Sequence, residues 1–108
     1  MNREQIIQTA NELVAILRPG MDIRRLYAYG SQVRGDAEHG SDLDLLIEVP
    51  EVTQEIKRKV QDAAWQLSLE KELLISVLVV SENDFQQGPL SVSGLARAIE
   101  REGIEIAA

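Results

Sequence analysis

Asp42 and Asp44 stand two residues apart at the head of the apolar run Leu43 to Val49. In an extended chain that spacing turns both side chains to one face. Two carboxylates side by side repel, and holding them on a strand is costly without a counter-charge. A divalent cation supplies it. Mg2+ takes carboxylate oxygens, keeps several waters and accepts phosphate oxygens as its remaining ligands. Asp42 and Asp44 therefore read as metal ligands of a site that takes a polyphosphate. The acid and glycine spacing of an EF-hand calcium loop is absent.

Upstream, Gly30-Ser31 follow a run that reads as a strand. Glycine permits a tight turn and close approach of another group to the backbone. Ser31 to Val33 reads as the start of a short helical turn, whose exposed N–H groups favour phosphate. The Ser31 hydroxyl offers one more donor. Arg34 lies on the same loop and reads either as a phosphate contact or as a brace for the acids. Gly35 serves turn geometry, and Ser41 taken alone is a turn or capping residue. His39, the one histidine, reads as a solvated loop residue, and Asp36 and Glu38 read either as solvated loop charges or as groups lending charge to the metal site.

The elements that must position these residues follow from periodicity. Ile6, Ala10, Leu13 and Leu17 fall at helical spacing over residues 3 to 18, stopped by Pro19-Gly20. Residues 23 to 29 read as a strand, and Leu43 to Val49 as a second, apolar enough to be buried on both faces and ended by Pro50. Residues 51 to 71 make the clearest helix, with Val52, Ile56, Val60, Ala63, Ala64 and Leu67 on one face. Leu73 to Val80 reads as a third strand. Ser81 to Asp84 is a turn or helix cap. Residues 91 to 102 form a last helix ended by Gly103. The expected fold is one α/β (α+β) domain over residues 1–108: a small mixed sheet covered by helices, with the first two strands antiparallel. Trp65 reads either as the edge of the core or as part of a partner interface.

Composition narrows the function. A chain of 108 residues fits one small domain. A net charge of -7 without a basic stripe disfavours a DNA- or RNA-binding role. With no cysteine, disulfides and thiolate zinc sites are excluded. The longest purely apolar run, Val77 to Val80, is far too short to span a bilayer, and the N-terminus lacks a signal-peptide pattern. A cytoplasmic protein without a membrane partner is expected.

The pattern G-S-x2-R-G-x5-S-D-x-D-L, from Gly30 to Leu45, resembles the signature of the DNA polymerase beta-like nucleotidyltransferase superfamily in its minimal (MNT) branch. The resemblance covers nearly the whole chain. It implies the polymerase beta-like fold, Mg2+ as cofactor and transfer of a nucleotide, usually AMP from ATP, to a hydroxyl. Two metal ions clamp the reacting phosphate in such sites. It places Gly30, Ser31, Arg34 and Ser41 at the nucleotide, with Asp42 and Asp44 as catalytic metal ligands. Minimal members are often antitoxins of HEPN-domain toxins, and some are understood to add AMP to a toxin tyrosine.

One departure matters. The family usually carries a third carboxylate on a later strand, and the candidate strand here, Glu72 to Val80, has no aspartate. By period two, Glu72, Leu74, Ser76 and Leu78 share a face, and Ser76 stands where the acid is expected. Glu72 either reaches inward from the strand start as the third catalytic acid or is plain surface. Two other functions follow from the same residues: an antitoxin that neutralises by binding alone and keeps a relic nucleotide site, and transfer to a small molecule. The latter ranks last for want of an evident acceptor-binding domain.

Overall fold

The computed structural model describes residues 1–34 and 42–106 of the chain. Its elements run α1 (Arg3–Leu17), β1 (Arg25–Tyr29), α2 (Ser31–Arg34), β2 (Leu43–Val49), α3 (Gln54–Lys71), β3 (Ile75–Ser81), α4 (Glu82–Gln86), α5 (Gly94–Glu102) and β4 (Ile104–Ile106). The sheet order is β3-β2-β1-β4. β1 pairs antiparallel with β2 and β4, and β2 pairs parallel with β3, so the sheet is mixed.

Local chemistry sets the helix starts. Asn2 and Gln5 form a reciprocal capping box at α1, with the Asn2 side chain accepting from the Gln5 N–H at 2.8 Å and the Gln5 side chain from the Asn2 N–H at 2.9 Å. Thr53 Oγ1 accepts from the Ile56 N–H at 3.1 Å and starts α3. Ser81 does the same for α4, accepting from Asp84.

The two faces of the sheet are used differently. Leu26 and Ala28 of β1, Leu43, Leu45, Ile47 and Val49 of β2, and Ile75 and Val77 of β3 are buried against α1 and α3 in the main core. Burying one such side chain contributes about 1.5–3 kcal/mol. Among the described residues, the opposite face is covered only in part. There Leu46, Val80, Phe85 and Ile99 form a smaller cluster, with Tyr27 and Tyr29 against it. The upper end of that face, at Asp42 and Asp44, is half-buried.

β3 is an edge strand, and α3 blunts it. Ser68 Oγ accepts from the Ile75 N–H at 3.0 Å while donating to the Ala64 carbonyl at 2.7 Å. Gln61 Nε2 donates to the Val77 carbonyl at 3.2 Å. Outward-pointing edge groups are thereby satisfied by side chains rather than by another strand.

The long helices, the second strand and the antiparallel pairing agree with the sequence expectation. Three features differ. The expectation ends on a helix, whereas the chain adds β4, which pairs along the free edge of β1. The third strand begins at Ile75, not Leu73. Ahead of it, Glu72 is the left-handed C-cap of α3, with φ 53°, and is exposed. Trp65 is 62% exposed, which removes it from the core. Among the described residues, no helix is long and apolar enough to cross a membrane.

Candidate active site

β1 ends at Tyr29, and the chain turns at Gly30 with φ +85°, a conformation that side-chain-bearing residues rarely adopt. The Gly30 carbonyl then accepts from the Val33 and Arg34 N–H groups at 3.2 and 3.1 Å, which closes α2. The glycine is also required by its neighbour. A Cβ built on Gly30 would lie 2.6 Å from Asp44 Oδ2. The turn and the carboxylate are thus in direct apposition.

Asp42 stands immediately before β2, and Asp44 is its second residue. Leu43 between them is fully buried on the main core side, so the two carboxylates share the other face. Asp44 pairs with Tyr29 of β1 on one side and with Ser76 of β3 on the other. Ser76 Oγ donates to Asp42 Oδ2 at 3.1 Å. The main-chain pairing at this end is held by the Leu43 N–H, which donates to the Leu74 carbonyl at 2.9 Å. Gly30, Asp42, Asp44 and Ser76 therefore meet across three adjacent strands.

The electrostatics agree with the geometry. Burial pushes the Asp44 carboxyl above the ordinary aspartate range, the charge of Asp42 adds to the rise, and Arg34 opposes it. The Tyr29 hydroxyl is also raised, by burial first and by Asp44 second. The Arg34 charge favours the ionised form of Asp44. Its Nη1 meanwhile donates to Glu102 Oε2 of α5 at 3.3 Å, an ion pair between half-exposed partners.

Two oxygen-donor side chains on one face, with Asp42 disfavouring the charge of Asp44, suit a divalent cation. Asp42 and Asp44 would hold it. Among the described residues no group of three Asp, Glu, His or Cys side chains comes together.

The remaining expected residues fall as follows. Ser31 begins α2 beside Gly30. Ser41, Gly35, Asp36, Glu38 and His39 lie outside the described residues. Glu72 is not on β3; the left-handed cap turns the chain there, two residues before Leu74 joins the ladder.

Sequence reasoning passes over Glu48 altogether. It is fully buried on the same face of β2, and Gln86 Nε2 of α4 donates to its Oε1 at 3.0 Å. Its Oε2 is buried with no hydrogen-bond partner among the described residues. Period two from Asp44 is the signal that places it on this face. A cleft of about 410 Å³ opens beside it, between Arg25, Tyr27, Gln86 and Glu105, and neither Asp42 nor Asp44 lines it.

Comparison with known proteins gives one consistent answer. A family model described as "Nucleotidyltransferase domain" matches residues 6–105. A Methanocaldococcus jannaschii protein named "Putative protein adenylyltransferase" is 35% identical over 77 residues, which is 70% of this chain and 76% of that protein. The fold is similar to that of a toxin-antitoxin crystal structure with AMP-PNP, with TM-score 0.64 and 17% identity over 91% of this chain and 72% of that one. It is also similar to a tri-AMPylated Shewanella oneidensis HEPN toxin in complex with MNT antitoxin, with TM-score 0.60 and 15% identity over 95% of this chain and 72% of that one.

Proposed function

The chain belongs to the nucleotidyltransferase domain family and is a nucleotidyltransferase, and from that premise we propose that it transfers AMP from Mg2+-bound ATP to a tyrosine hydroxyl of a HEPN-type toxin, as that toxin's cytoplasmic antitoxin. The observation that carries the reading is the apposition of Gly30 to Asp44, with Asp42 on the same face. It puts a backbone turn that tolerates close approach directly beside a carboxylate pair.

In this reading Asp42 and Asp44 bind the metal, and Gly30, Ser31, Arg34 and Ser41 receive the phosphates. The bound ion supplies charge neutralisation of the phosphate oxygens and polarisation of the α-phosphorus. The tyrosine oxygen forms a bond to the α-phosphorus while the bridging bond to the β-phosphate breaks. Pyrophosphate leaves, and the hydroxyl proton passes to a base or to solvent. Arg34 offsets charge that builds on the phosphate, and Gly30 holds the turn against Asp44. Glu72 enters only as a candidate proton acceptor, and Glu72→Gln tests it: unchanged labelling removes it.

The adenylyltransferase relative and the AMP-modified toxin of the similar complex support the acceptor class. Incubating the pure protein with α-labelled ATP, Mg2+ and the HEPN-type toxin encoded beside it should label the toxin. Equal labelling by an Asp42→Asn/Asp44→Asn variant would remove the proposal.

A second reading, neutralisation by binding alone, is favoured by one observation: the residue opposite Asp44 is a serine rather than an acid. Under it the double variant still neutralises the toxin in cells. Loss of neutralisation with the complex intact counts against it.

A further inference from the structure

The strand next to the carboxylates contributes a hydroxyl to the site. Ser76 is in register with Asp44, half-buried, and donates to Asp42 Oδ2 at 3.1 Å. Along the same face of β3, Leu74 and Leu78 are exposed apolar side chains, and β3 contains no acid from Ile75 to Ser81. Ser76 is therefore the one polar side chain that β3 turns toward the carboxylates.

Two consequences follow from elementary chemistry. Asp42 stands immediately before β2, and the hydrogen bond from Ser76 on the neighbouring strand selects its carboxylate orientation. Groups that orient a metal ligand in this way typically change metal affinity about 10–100-fold when removed. The second consequence is ligand number. Among the described residues Asp42 and Asp44 are the carboxylates that meet here, enough to anchor one divalent cation whose remaining ligands are waters and phosphate oxygens. The serine hydroxyl adds no carboxylate, and its proton is committed to Asp42.

We propose that Ser76 is a positioning residue that fixes Asp42 as a metal ligand, and that the site consequently takes one divalent ion per bound nucleotide. The inference rests on the metal–nucleotide reading above and specifies its stoichiometry. It predicts that an acid at position 76, facing both aspartates, would create a place for a second ion.

The test counts Mn2+ bound per chain by electron paramagnetic resonance, with the full-length protein and an equimolar amount of AMP-PNP. The wild type should hold one Mn2+. Ser76→Ala should hold one with affinity reduced about tenfold or more. Ser76→Thr keeps the hydroxyl on a residue suited to a strand and should restore the affinity, which a merely structural serine would not require. Ser76→Asp should hold two. Two ions in the wild type, or undiminished affinity in Ser76→Ala, would overturn the inference and leave the nucleotidyltransferase reading standing. No Mn2+–AMP-PNP uptake by the wild type would remove the metal–nucleotide reading itself, and this inference with it.

Discussion

Asp44 and Glu48 occupy the same face of β2, four residues apart, and the fold treats them in opposite ways. Asp44 is half-buried, has Asp42 as a like-charged neighbour, and lies against the glycine turn at Gly30. Glu48 is fully enclosed, and the Gln86 amide of α4 meets one of its oxygens. The difference lies less in the residue type than in what covers the strand. Where α4 and α5 close over the sheet, a carboxyl becomes part of the packing. At the other end of the strand a similar group stays half-buried with a partner of its own charge.

That contrast can be broken by substitution at either end. The largest effect is expected for Asp44→Asn, which should lower toxin labelling about 100-fold or more, the scale of losing one preorganised electrostatic group. Its folding midpoint should be unchanged or higher, because a repulsive pair is removed. A large loss of stability would show that Asp44 is structural after all.

Gly30→Ala comes next. The left-handed conformation alone costs about 1–2 kcal/mol, and the added methyl would displace Asp44. Both the denaturation midpoint and Mg2+–nucleotide affinity should fall. A variant stable and fully competent in binding would show that the turn is not needed beside the acid.

Gln86→Ala probes the closed end. It removes the hydrogen bond to a buried carboxyl and should destabilise by about 1–3 kcal/mol. Mg2+–nucleotide affinity per folded molecule should not change. Calorimetry that found weakened binding would mean the two ends of the face are coupled.

The smallest effect is a titration shift. Burial and Asp42 raise the Asp44 carboxyl, so the folded chain binds its proton more tightly than the unfolded chain does. In metal-free protein, stability from this group is therefore present below the ordinary aspartate value and lost as pH rises through the raised one. Metal uptake, which needs the ionised pair, should increase over the same interval. Asp42→Asn should move the Asp44 carboxyl resonance midpoint downward in an NMR titration. An unmoved midpoint would show that the two charges do not interact.

Much of this was legible in the sequence, for identifiable reasons. Gly30 and the Asp42–Asp44 pair declare themselves because a positive φ and a same-face spacing are local requirements, written in single residues. Helices α1 and α3 are long enough for periodicity to speak. β4 was missed because Ile104-Glu-Ile106 is too short to show alternation, and its pairing depends on the distant edge of β1. The start of β3 was misplaced because α3 ends on a left-handed Glu72 without the glycine that usually marks such a cap. The burial of Glu48 could not be read from Ile47-Glu48-Val49, since it is imposed by α4, which arrives about forty residues later.

The central claim is that Asp42 and Asp44 together capture a divalent ion that carries the nucleotide. Isothermal titration of Mg2+–AMP-PNP into the wild type and into Asp42→Asn/Asp44→Asn tests it directly. The account predicts saturable uptake by the wild type and none by the double variant, with both proteins folded. Equal uptake by the two, or none by the wild type, would contradict it.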